Sequence, residues 1–323
     1  MKRKFNRRGF LKTSAKGAAV ASLAGLTEGL ILPNILHALA SPKDNPAQWI
    51  DSLVRDFIVN SPLNTLQDTA NERAFDEPLV GFSRGDDSIF ELYKDRVGPF
   101  HWTPLEIFQQ SFPEVTVKPD ELTVISWVLP QTMATKIEHR EAKKLPTERW
   151  ARARIFGEEV NNELRKYVVA RLVKSGFQAI APALSPLWKM QMSEQYGFAS
   201  TWSERHAAYA SGLGTFGLCD GLITPKGKAM RVGSVVAQIQ VPATVRPYED
   251  HHEYCLFYAK GTCGMCITRC PSGALSKEGG HDKKVCQAHL GTTFEYVNST
   301  FGFKGYGCGL CQTGVPCESQ IPV

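Results

Sequence analysis

The sequence predicts an α+β chain, a mixed helix-and-sheet domain followed by a small cysteine-rich module. Three observations carry that expectation. Leu122–Leu129 is an almost unbroken β-branched and aromatic run, Thr147–Ser175 repeats apolar residues at helical spacing, and eight of the nine cysteines fall between Cys255 and Cys317. The expected boundaries are 1–40 for a targeting segment, 41–245 for the mixed domain and 246–323 for the module. At 323 residues with 43% hydrophobic content, the chain can bury a sizeable core.

Residues 1–40 stand apart from the fold. Asn6-Arg7-Arg8-Gly9-Phe10-Leu11-Lys12 is followed by an Ala- and Gly-rich stretch, Ala15–Leu32, and by Ala38-Leu39-Ala40, which suits signal peptidase. This resembles a twin-arginine (Tat) export signal, the bland alternative being an ordinary amphipathic helix. Glu28 and several glycines interrupt the run, which disfavours a membrane span. The expected location is therefore the periplasm or the outer face of the cytoplasmic membrane. Because that route carries folded, cofactor-loaded proteins, clustered cysteines here need not be disulfides. The segment holds seven basic residues against Glu28, a net +6, so removing it from the whole-chain +5 leaves about −1. The basic balance belongs to the signal, and no nucleic-acid partner is expected.

Residues 41–120 are rich in Pro, Asn and Asp and read as loops and short elements, with a helix over Ser52–Asn60. Leu122–Leu129, stopping at Pro130, reads as a strand buried on both faces. Over Thr147–Ser175, Phe156, Val160, Leu164, Val168 and Leu172 recur every four residues, Thr147 can cap the start and Gly176 the end. Phe177–Ala181 and Val232–Val241 read as two further buried strands, so strand, helix, strand, loop, strand makes a layered domain. Between them, Trp202–Gly227 runs from an Ala-rich turn into a loop with several glycines. Such glycines let backbone N–H groups approach a ligand, or simply make a tight turn. No strand leads directly into Gly212, so this is not a dinucleotide fingerprint.

The tail holds two groups of four cysteines. Cys255, Cys263, Cys266 and Cys270, followed by Pro271, contain the run Cys-x2-Cys-x3-Cys-Pro; Cys286, Cys308, Cys311 and Cys317 form the second group. Eight thiolates suit two [4Fe-4S] clusters, since closely spaced cysteines reach different irons of one cube and the last cysteine of each run serves the other cluster. That rule assigns Cys255, Cys263, Cys266 and Cys317 to cluster 1, and Cys286, Cys308, Cys311 and Cys270 to cluster 2. Structural zinc, disulfides and a single [3Fe-4S] cluster are the alternatives. Cys219 is left over and reads as a small buried hydrophobe. His206, His251, His252 and His281 lack metal-ligand spacing. Tyr209, His206 and Lys228 are the candidate catalytic groups, as proton donors by type and position.

Glu204-Arg205, then Gly212-Leu-Gly214, then Leu222-Ile-Thr-Pro-x-Gly-Lys-x-x-Arg231-x-Gly-Ser234 ahead of two cluster motifs, resembles the epoxyqueuosine reductase and reductive dehalogenase superfamily. The resemblance covers about residues 147–317. It implies a nitroreductase-like domain fused to a two-cluster ferredoxin-like module, with a cobalamin against Gly212, Gly214, Gly217, Gly227, Arg231 and Ser234. Two departures bear on transfer: Phe198 stands where the tRNA-modifying members carry an acidic residue, and the chain is shorter than typical dehalogenases. The resulting expectation is an exported iron–sulfur oxidoreductase passing electrons from a redox partner protein or membrane anchor to a corrinoid and a small electrophilic substrate. The rivals are a periplasmic [4Fe-4S] electron-transfer protein without corrinoid, and a flavin (FMN) reductase on the same scaffold.

Overall fold

The computed structural model describes residues 42–323, and the export signal read from the sequence lies outside the described residues. Two strands dominate the framework, β2 (Leu122–Pro130) and β4 (Met230–Gln238), which pair antiparallel along their full length. The edge strand β1 (Leu79–Arg84) pairs with β2, and the two-residue β3 (Ala179–Ile180) pairs with β4, giving the antiparallel order β1-β2-β4-β3. All nine positions of β2 are buried, as its unbroken apolar run predicts.

Alternation of side chains sorts β2 between two cores. Ile125, Trp127 and Leu129 pack with Val235 and Ala237 against α1 (Pro46–Asn60) and α2 (Glu148–Lys174). Leu122, Val124 and Val236 face the other way, into Phe90, Phe108, Trp202 and Ala207 of the opposite layer. Gly233 lies opposite Trp127, and a Cβ there would sit 2.5 Å from the indole ring, so this strand position has to be glycine. The Trp127 indole N–H donates to Asn161 of α2 at 2.9 Å, and Asn161 in turn donates to the Val232 carbonyl at 3.0 Å, tying helix to sheet through fully buried polar groups.

The long helix ends where the sequence predicts, at Gly176 with φ +90°, but Thr147 does not cap its start. Its hydroxyl turns instead to His139 Nδ1 at 3.3 Å. Phe177–Ala181 contributes only the β3 pair, and residues 41–120 hold more regular structure than their composition suggests: α1, β1 and two further helices, Ile89–Arg96 and Pro104–Ser111. Among the described residues no helix is long and apolar enough to cross a membrane. The segments either side of residue 245 meet in one apolar cluster that holds Leu218, Cys219 and Ile223 together with Cys255, Cys266, Leu275, Val315 and Cys317.

Candidate metal centre

Each cysteine is set by a local turn. Cys255 precedes the short helix Leu256–Lys260, which Gly261 stops with a left-handed φ of +65°. After it Cys263 and Cys266 flank the start of the single turn Met265–Thr268, so the Cys-x2-Cys pair presents both sulfurs on one side. Cys317 returns from the far end of the sequence. It is held there because the Lys228 amide donates to the Cys317 carbonyl at 3.0 Å, and Gly227, with φ +78°, leaves no room for a Cβ against the Glu318 carbonyl. Cys255, Cys263, Cys266 and Cys317 thus line one small cavity, with Leu218, Phe257 and Val315 supplying apolar wall and Lys228 the one charge.

The other four thiols lie together on the neighbouring side. Cys286 comes from the helix Lys283–Phe301, and Cys308 and Cys311 bracket a left-handed Gly309. The Cys308 thiol interacts with those of Cys286 and Cys270, and Cys311 with that of Cys308. The Ser272 hydroxyl and the Ser272, Ala274 and Leu275 amides point at Cys270 and, against the effect of burial, hold its thiol below the usual range. This loop is pinned to the α/β layers: His139 Nε2–H donates to the Cys308 carbonyl at 2.7 Å and stacks on Trp150 at 4.2 Å. Arg269 donates to the carbonyls of Leu310, Arg140, Ala142 and His139.

Whether these residues suit iron–sulfur clusters is decided by donor chemistry. Burial pushes the Cys266 thiol up to about 12 and the Cys308 thiol up to about 11, so as free groups both stay protonated at neutral pH. Grouped buried thiols of this kind become thiolates when a metal replaces their protons. Among the described residues no three His, Cys, Asp or Glu side chains stand in the geometry of a bound metal ion; the thiols of the first set line a common space. The donors and the cavity fit a cluster.

Corrinoid-facing roles fare differently. A Cβ on Gly214 would lie 2.1 Å from the Ile223 carbonyl, Gly212 abuts the Val245 carbonyl, Gly217 packs near Ile223 and Gly227 meets Glu318. These glycines serve close approach within the protein. Arg231 Nη2 donates to the Arg154 carbonyl at 3.0 Å beside Glu158, and burial pushes its guanidinium down to about 9. The Ser234 hydroxyl accepts from the Trp202 indole N–H at 3.0 Å and donates to the Glu204 carboxylate. Arg165 ion-pairs with Glu204 at 3.1 Å beneath it, yet burial still raises the Glu204 carboxyl. All six positions read as ligand-facing are engaged by the protein itself, so as they stand they do not fit a corrinoid or a flavin.

The candidate catalytic groups are dispersed. His206 packs among Tyr93, His101 and Phe216, with Nδ1 at 2.8 Å from Ser203 Oγ, and burial lowers its pKa far below the usual histidine range. Tyr209 lines an open cleft of about 620 Å³ with Arg246, Tyr248 and several carboxylates. Lys228 is 3% exposed and points into the thiols. Two residues gain a setting that spacing could not signal. Cys219 lies 3.4 Å from Lys228 Nζ and within hydrogen-bonding reach of Cys311, and these neighbours hold its thiol well below the usual range. His281 binds Asp220 at 2.9 Å and reaches the Cys286 thiol; burial works against its charge, but these partners lift it to about 9.

No family model matches the chain. Its relatives include the epoxyqueuosine reductases of Bacillus anthracis, 33% identical over 119 residues, and of Staphylococcus aureus, 30% identical over 124. The first match covers 35% of this chain and 29% of that protein, the second 37% and 30%; the chain spans less than a third of their length. Among solved structures, an epoxyqueuosine reductase with a modified tRNA-Tyr stem loop is similar at TM-score 0.41 and 19% identity, over 77% of this chain and 63% of that one. A catabolic reductive dehalogenase is similar at TM-score 0.45 and 13% identity, over 85% of this chain and 37% of that one. The tRNA complex corrects one expectation. Net charge near −1 does not exclude a nucleic-acid partner, because a whole-chain sum says nothing of local surface.

Proposed function

The chain is a relative of the epoxyqueuosine reductases and reductive dehalogenases, and we propose that it is an exported iron–sulfur reductase carrying two [4Fe-4S] clusters. In this reading its sheet layers correspond to the nitroreductase-like part of those proteins and residues 246–323 to the ferredoxin-like part. The observation that supports it is the meeting of Cys255, Cys263, Cys266 and Cys317 around one cavity, although Cys317 is separated from Cys266 by the whole of the other set. Bound there, such clusters supply one-electron transfer between a donor protein and a substrate. The chain's own part is to hold eight thiolates in two sets, to keep water from the first with Leu218, Phe257 and Val315, and to fix the second through Arg269 and His139.

With the corrinoid-facing positions engaged internally, electron transfer without a corrinoid is the form the geometry favours. Anaerobic purification followed by iron, sulfide, cobalt and flavin analysis tests the reading. About eight irons per chain are expected from two cubanes, with dithionite-reducible electron paramagnetic resonance signals. Iron near zero, or thiols oxidised to disulfides in the native protein, sinks it. Stoichiometric cobalt would restore the corrinoid expectation, and stoichiometric flavin the flavin rival. A substrate screen by electron consumption then includes both organohalides and a tRNA stem loop.

A further inference from the structure

Lys228 is the only charged side chain lining the first thiol cavity. It is 3% exposed, its Nζ lies 3.4 Å from Cys219 Sγ, and no carboxylate pairs with it among the described residues. Burial works against its charge, and the sulfurs around it are those of Cys219 and, from the two thiol sets, Cys317, Cys266 and Cys311. Its position is fixed at the backbone: the Lys228 amide bonds the Cys317 and Glu318 carbonyls, and the side chain passes beside Gly221. The Cys219 sulfur beside Nζ is one partner for this buried ammonium, and the four-thiol cavity that its side chain lines can take a second anion. A cubane bound by four thiolates is such an anion, and one-electron reduction makes it more negative still.

We propose that the Lys228 ammonium is a fixed counter-cation for the cluster held by Cys255, Cys263, Cys266 and Cys317, favouring its reduced form. This rests on the iron–sulfur reading above and adds to it what sets the potential. Reduction potentials of such clusters follow net charge and the hydrogen bonds at their sulfurs, and Lys228 alters the first directly. The role differs from the proton donor expected by residue type. At 3% exposed, the side chain acts on the site through its charge.

The experiment is a spectroelectrochemical titration of the full-length, cluster-loaded protein with K228M, K228Q and K228R variants, with iron counted in each. At the wild-type midpoint of this cluster, the neutral variants are expected to show a reduced-to-oxidised ratio at least tenfold lower. For a one-electron couple that is about 59 mV. The Arg variant is expected to stay within threefold. Neutral variants with full iron and a ratio within twofold of wild type overturn the proposal. Loss of iron from both neutral variants but not from the Arg variant supports it, since charge is then what the site requires. Loss from all three shows that side-chain shape governs the site and overturns it. An iron-free wild-type protein is a separate result, the failure of the underlying reading.

Discussion

Cys255, Cys266 and Cys317 are 8%, 8% and 9% exposed and, with the half-buried Cys263, face an apolar cavity with one ammonium in it. Cys270, Cys286, Cys308 and Cys311 are all half-buried, and their neighbourhood includes the His281–Asp220 pair, the Arg269 fan and His139. The first set is assembled from distant pieces of chain around a dry space, whereas the second is bolted to the α/β layers by hydrogen bonds. Since potential depends on charge, hydrogen bonding and exposure together, two clusters bound in these settings, as the proposed function has them, would differ in potential although each had four cysteine ligands.

The strongest way to break this comparison is to remove one ligand. C266S is expected to lose the first cluster and about half the iron while the second keeps its signal, checked by iron analysis and electron paramagnetic resonance. Loss of both signals would mean the sets are not separable. R269A strips donors from four carbonyls around the Cys308–Thr313 loop. It is expected to cost about 2–3 kcal/mol in denaturant unfolding and to release iron from the second cluster first.

Acid separates the sets on a smaller scale. Burial pushes His139 down to about 3, whereas the unfolded chain protonates it near 6.5. Below 6.5 the unfolded state binds the extra proton, so the stability is complete above that pH and falls by about 1.4 kcal/mol per unit as pH drops toward 3. Thermal unfolding between pH 7 and 4.5 measures the slope, and H139Q should flatten it. The smallest effect belongs to E318Q. The Glu318 carboxylate accepts from Arg140 Nε at 3.0 Å and from the Gly314 amide at 2.7 Å, contacts that hold it below the usual range despite burial. Because Arg140 is 41% exposed, about 1 kcal/mol is expected from denaturant titration.

Local pattern carried much of this molecule. The apolar run of β2 and the four-residue repeat of α2 each encode their outcome within a short window, through side-chain period. What escaped depends on contacts between distant residues. Strand β1 contains Gly81, a poor strand former, which is there because a Cβ would strike the Ser211 carbonyl. The glycines of the Gly212–Ser234 loop have the composition of a ligand cradle, yet Gly212, Gly214 and Gly227 abut the chain's own carbonyls and Gly217, Gly221 and Gly233 its side chains. Lys228 and Cys219 carry no spacing signal, because the cysteines they meet lie tens of residues away in sequence.

The interleaving of the two sets also imposes an order in time. Synthesis makes Cys255, Cys263 and Cys266 early in the module, but their fourth partner, Cys317, follows Cys270, Cys286, Cys308 and Cys311. A ribosome-bound chain therefore has the whole of the second set available while the first is one ligand short. In the iron–sulfur reading, the first centre would close only when Cys317 has come to rest against Lys228 and Gly227, so its completion would report that the module has folded.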